Sequence, residues 1–128
     1  TGFFSAEEVT RRILINYPEV DTIICTSAKD TISAAQVIVD LNKVGEITII
    51  GYDDAPEILR YIEKGVIYGT VVANPYKIGY ESIRSLVEIK KNRMTSTYVD
   101  TGAKVITCDN IQDYLTLPEN TEKGQAER

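Results

Sequence analysis

Apolar and polar positions follow two rhythms along this chain. Val9, Ile13 and Tyr17 recur at fourfold spacing and give a helix one apolar stripe. Ser5 precedes that stripe with Glu8 three residues on, a capping box, and Pro18 ends the helix. Residues 21–26 read as a strand, because Ile23, Ile24 and Cys25 form an unbroken apolar run suited to burial on both faces. A second helix is predicted over 31–43, with Ala34, Ile38 and Leu41 on one side and Gly45 placed to stop it. Residues 47–51 make the next buried strand. Asp54 is placed to cap a third helix, with Pro56 in its first turn, Ile58, Leu59 and Ile62 on its apolar face, and Gly65 at its end. Residues 67–72 read as the third strand. Asn74 and Pro75 open a fourth helix reaching about Lys91, with Ile83, Leu86 and Val87 apolar. A strand over 105–108 and a short helix over 111–115 close the pattern. From Pro118 the composition turns polar, and 116–128 are expected to form a disordered tail.

Helices of this length between apolar strands are what right-handed crossovers require. The predicted fold class is α/β: a three-layer, Rossmann-like open sheet, mostly parallel. In such sheets ligands bind outside the carboxyl ends of the strands. That rule selects three loops, each between a strand end and a helix start: Ser27-Ala28-Lys29-Asp30, Tyr52-Asp53-Asp54 and Ala73-Asn74-Pro75. Lys29 donates, Asp30 and Asp53 accept, and Asn74 does both, a set that suits a polyhydroxylated ligand. Structural roles compete at each position. Asp30, Asp54 and Asn74 serve equally as helix caps, Lys29 as a solvated lysine, and Tyr52, Tyr76 and Tyr80 as packing groups. Asp53 has the stronger case for ligand contact, since its neighbour Asp54 already supplies the cap.

The 128 residues suffice for one domain, and 43% hydrophobic with 26% charged residues is ordinary for a globular chain. A net charge of −5 gives no electrostatic basis for binding nucleic acid or an anionic membrane. There is no histidine, which removes the commonest general base, and there is no Gly-x-Gly-x-x-Gly and no phosphate-binding Gly-Lys-Ser/Thr loop. No catalytic residue, cofactor or metal site is expected. Cys25 and Cys108 both fall in strand-like runs and read as small buried hydrophobes; whether they approach closely enough to pair is left open.

The three loops also carry a family resemblance. The stretch Cys25-Thr26-Ser27-Ala28-Lys29-Asp30, followed by Ala34 and Ala35, resembles the strand-loop-helix bearing an Asn-Asp pair in ribose-binding-type solute receptors and the lactose-repressor family. Ile49-Ile50-Gly51-Tyr52-Asp53-Asp54-Ala55-Pro56-Glu57 resembles their Gly-Phe-Asp-Gly segment. Gly69-Thr70-Val71-Val72-Ala73-Asn74-Pro75, followed by Ile78-Gly79, resembles their Thr-Val-x-Gln-x-Pro hinge segment. Val99-Asp100-Thr101-Gly102 to Asn110 and Tyr114 is similar to the end of bacterial sugar-binding proteins of this type. The resemblance runs in order over about residues 2–115.

That resemblance implies a two-lobed trap that closes on a small polar ligand, most simply a sugar, without catalysis. Residues 1–115 would be mostly its carboxyl-terminal lobe, with 74–100 packed on an amino-terminal lobe that precedes Thr1. The implied role is the extracytoplasmic (periplasmic or membrane-anchored) binding component of an ATP-driven (ABC) importer. The alternative is the sensing domain of a transcriptional regulator or of a receptor coupled to a histidine kinase. The family's sugar-contacting aspartate falls on Asp53. Its binding asparagine falls on Lys29 and its hinge glutamine on Ala73, with Asn74 beside it; these departures leave the particular sugar open. Ser27, Lys29, Asp30, Asp53, Ala73 and Asn74 are the expected ligand residues. The uncovered stripe on helix 75–91 is expected to invite self-association.

Overall fold

The computed structural model describes residues 5–117. Its core is a four-stranded sheet in the order β1 (Thr22–Ile24), β2 (Thr48–Tyr52), β3 (Gly69–Ala73) and β4 (Ala103–Thr107). The first three strands are parallel, and β4 runs antiparallel to β3 with Val71 opposite Val105. The sheet is therefore mixed and open, with flanking helices.

Among the described residues there are five helices: α1 (Ala6–Asn16) precedes β1, α2 (Ala28–Asp40), α3 (Pro56–Glu63) and α4 (Pro75–Asn92) join successive strands, and α5 (Ile111–Thr116) follows β4. The crossovers through α2 and α3 both step in the same direction across the sheet. Right-handed connections therefore place both helices on one face. α1 packs beside α2, and α5 beside α3, which extends that layer. Ala34 and Ala35 let α2 approach the sheet closely, and Ile38, Ile49, Ile58, Ile62 and Ile106 fill the space between, each at most 1% exposed. On the opposite face, register aligns Ile24 with Ile50 and Tyr52 with Val71 and Val105. Ile24 and Val105 remain largely exposed there, so the described residues supply the sheet and one helical layer.

α4 stands apart. β3 leads out of the sheet into it, and β4 brings the chain back. None of its 18 residues is buried.

The predicted capping box on α1 is present: the Ser5 hydroxyl accepts from the Glu8 amide, and the Glu8 carboxylate accepts from the Ser5 amide. Several boundaries differ from expectation. α2 begins at Ala28 rather than Thr31, because the Ser27 hydroxyl caps it by accepting from the Asp30 amide at 3.1 Å. Asp30 is thus in the first turn and is not the cap. α3 is preceded by Ala55 with no side-chain cap; Asp54, expected in that role, is engaged elsewhere. β4 starts at Ala103, two residues before the predicted strand, through pairing along β3. α5 runs through Thr116, and Leu117 packs partly against the core. The rest of the predicted tail, 118–128, lies outside the described residues. Both cysteines are free thiols: Cys25 is buried, whereas Cys108, expected inside, is exposed. Among the described residues no helix is long and apolar enough to cross a membrane.

Candidate functional site

Parallel strands all end at the same edge, so the loops after β1, β2 and β3 form one rim. The rim is stepped rather than level. Ile24 at the end of β1 pairs with Ile50, while β2 continues two residues to Tyr52. Tyr52 pairs with Val71, and β3 again continues two residues to Ala73. Each step is roughly 6.6 Å at a parallel-strand rise. The loops bearing Lys29, Asp53 and Asn74 therefore climb across the sheet.

The middle step is the most tightly held. The Thr31 hydroxyl accepts from the Tyr52 amide at 3.1 Å and donates to the Ser27 carbonyl at 2.7 Å, so it joins the first loop to the second. The Thr70 hydroxyl donates to the Asp53 carbonyl at 2.8 Å, and the Asp53 amide donates to the Val71 carbonyl at 2.9 Å. Both threonines are completely buried. Gly51 makes this junction possible: a Cβ there would lie 2.5 Å from the Thr31 methyl.

Asp53 itself has φ +87°, a conformation that non-glycine residues adopt only when the surroundings impose it. Its Oδ1 accepts from the Asp54 amide at 2.6 Å. The Asp54 carboxylate does not cap α3 and accepts from the Tyr114 hydroxyl on α5, also at 2.6 Å. Burial pushes the Tyr114 hydroxyl's pKa well up, and the hydrogen bond to Asp54 and the negative charges of Asp54 and Asp53 push it further. Burial likewise raises the Cys25 thiol at the end of β1, with Asp30 adding to the rise and the Thr31 hydrogen bond opposing it.

Ser27, Asp30 and Asp53 are thus linked through Thr31 and Tyr52. Lys29 is exposed on the first turn of α2. Asn74 lies one step further out and is buried, with its Oδ1 accepting from the Lys77 amide at 2.9 Å as the cap of α4. Ala73, half-buried, ends β3 beside it. Thr31, Thr70 and Tyr114 are not among the residues that sequence reasoning selects. For the threonines the available signal was a hydroxyl within an otherwise apolar buried segment.

Known proteins resemble this chain in sequence and in fold. Residues 5–94 match the profile of the family described as periplasmic binding protein domain. The D-allose-binding periplasmic protein of Escherichia coli strain K12 is 28% identical over 87 residues, which span 68% of this chain and 28% of that protein. The crystal structure of GanP, a glucose-galactose binding protein from Geobacillus stearothermophilus, superposes with a TM-score of 0.75 at 35% identity, covering 82% of this chain and 38% of that one. A chain of a mutant XylFII–LytSN complex superposes with a TM-score of 0.70 at 30% identity, covering 84% of this chain and 38% of that one. The chain therefore spans about a third of the length of these relatives.

Proposed function

Starting from a chain that belongs to the periplasmic binding protein domain family, we propose that it forms the carboxyl-terminal lobe of a two-lobed receptor for a small neutral sugar. The observation that carries this reading is the immobilised Asp53 loop at the carboxyl edge of the parallel strands. A carboxylate there accepts from two neighbouring hydroxyls without rearrangement, and the loop's order is established before ligand arrives. The sugars named for the E. coli and Geobacillus relatives support the ligand class. In this reading a second lobe supplies the remaining contacts, α4 packs on that lobe, and ligand shifts the population from open to closed. Ser27, Lys29, Asp30, Ala73 and Asn74 are proposed as the neighbouring rim positions, with Asp53 as the principal acceptor. The chain is proposed to act by binding alone, outside the cytoplasm, as the substrate-binding component of an ABC importer.

A second reading, signalling through a protein partner such as a sensor kinase, is favoured by the similarity to a chain of the XylFII–LytSN complex. The two readings share the sugar site and differ in what the closed form contacts.

Thermal unfolding of the full-length protein with D-glucose, D-galactose, D-allose and arabinose tests the ligand class. A sugar at a hundred times its dissociation constant adds about 2.7 kcal/mol of stability. That stabilisation is expected in the wild type and lost in Asp53→Ala. Stabilisation by anionic sugars alone, abolished in Lys29→Ala, would replace the neutral-sugar assignment.

A further inference from the structure

The hydrogen bond from Tyr114 to Asp54 joins residues 60 positions apart and ties the last helix to the loop that carries Asp53. We infer that Tyr114 is a positioning residue for the ligand rim: acting through Asp54, it holds the Asp53 carboxylate in its binding orientation without itself touching ligand. The inference rests on the sugar-receptor reading above.

Tyr114 is a firm anchor. It is 5% exposed, and Ile111, one turn earlier and 2% exposed, seats the same face of α5 in the core. Asp54, by contrast, has a competing destination. The following helix begins after Ala55 with no side-chain cap, so its first amides and the positive end of its dipole attract a nearby carboxylate. Asp54 stands one residue before the cap position, next to that end. The Tyr114 hydroxyl takes its Oδ2 instead.

The consequence reaches Asp53 through one peptide unit. The Asp54 amide donates to Asp53 Oδ1 and so fixes the rotamer of the ligand-facing carboxylate. Tyr114 fixes Asp54 through its carboxylate, so releasing that carboxylate frees the Asp53–Asp54 peptide to turn and loosens this bond. The positive φ of Asp53 makes the rotation easier, since leaving that conformation relieves strain. Thr70 and Val71 hold only the backbone of Asp53 and do not restrain its side chain. Tyr114 is thus the group that keeps Asp54 from the helix and Asp53 aimed at the rim.

The test compares Tyr114→Phe, Asp54→Asn and Ile111→Val in the full-length protein. Calorimetric titration uses whichever of D-glucose, D-galactose, D-allose or arabinose binds the wild type most tightly. Amide hydrogen exchange at Asp54 is followed by NMR without sugar. In Tyr114→Phe, affinity is expected to fall about tenfold, and the Asp54 amide to exchange at least about tenfold faster. Asp54→Asn keeps an oxygen for the Tyr114 hydroxyl, so its residue-54 amide is expected to exchange more slowly than in Tyr114→Phe; equal exchange in the two variants counts against the inference. Ile111→Val lowers the unfolding midpoint yet leaves affinity unchanged, which separates positioning from general stability. Unchanged affinity and unchanged Asp54 exchange in Tyr114→Phe overturn the inference, as does an equal affinity loss in Ile111→Val. If no sugar binds the wild type, the receptor reading fails on its own, and the exchange measurement still decides whether Tyr114 holds the loop.

Discussion

α2 and α4 are both amphipathic helices that follow a strand at the same edge, yet six of the 13 residues of α2 are buried and none of the 18 in α4. Amphipathicity states that a face is suited to burial; it does not state what covers it. α2 covers its face because its crossover returns to a parallel strand, which lays the helix on the sheet. α4 connects antiparallel neighbours, and nothing in that geometry brings it back over the sheet. Tyr76, Tyr80, Ile83 and Val87 instead line an open groove of about 610 Å³.

Mutations test this contrast, beginning with its strongest side. Ile38→Ala in α2 removes a fully buried side chain and is expected to cost about 2–5 kcal/mol in chemical denaturation. At the rim, Gly51→Ala drives a methyl into the Thr31 side chain, which is buried and held by two hydrogen bonds and so cannot yield. A loss of about 1–3 kcal/mol is expected, and retained wild-type stability would show that the junction is looser than described. Thr70→Val keeps the shape but removes the donor to the Asp53 carbonyl, for about 1 kcal/mol and faster exchange of the loop amides.

Alkaline titration gives a smaller signal. Tyr114 loses its proton near pH 10 when unfolded and only at higher pH when folded. Below that the unfolded and folded chains bind the same proton, so stability is unaffected. Above it the unfolded chain releases the proton first, and stability falls as pH rises. Tyr114→Phe should therefore show a shallower alkaline decline than wild type, measured as the difference between their unfolding midpoints from pH 9 upward.

The smallest effect belongs to α4. In the 128-residue chain, Ile83→Ala should change stability by no more than about 0.5 kcal/mol, because Ile83 is already 64% exposed. A loss approaching that of Ile38→Ala would mean that α4 is covered in solution, by a second copy or otherwise, and would end the contrast. Ultracentrifugation over a concentration series separates those cases.

Much of this was readable before any fold was known. The apolar runs over 21–26 and 47–51 read as strands and the helical stripes between them implied parallel crossovers, but the first was expected to be buried on both faces and its Ile24 is exposed. Because parallel strands end at one edge, the loops of Lys29, Asp53 and Asn74 followed as a shared rim. The stagger of that rim did not follow, since it depends on strand register. Asp54 was misread for a related reason: its local context is that of a cap, and the competing hydroxyl comes from Tyr114, 60 residues away. Cys108 was expected inside by its apolar neighbours, but β4 ends at Thr107 and the thiol lies beyond the sheet.

The sequence by itself determined the alternation of elements, the faces suited to burial and the edge at which polar loops gather, because periodicity and capping act over a few residues. Only the tertiary structure decided which face was covered, how far each strand reached, and which partner claimed each carboxylate. Those outcomes depend on competition between groups distant in the chain, and each is settled by the free energy of the assembled whole rather than by local preference.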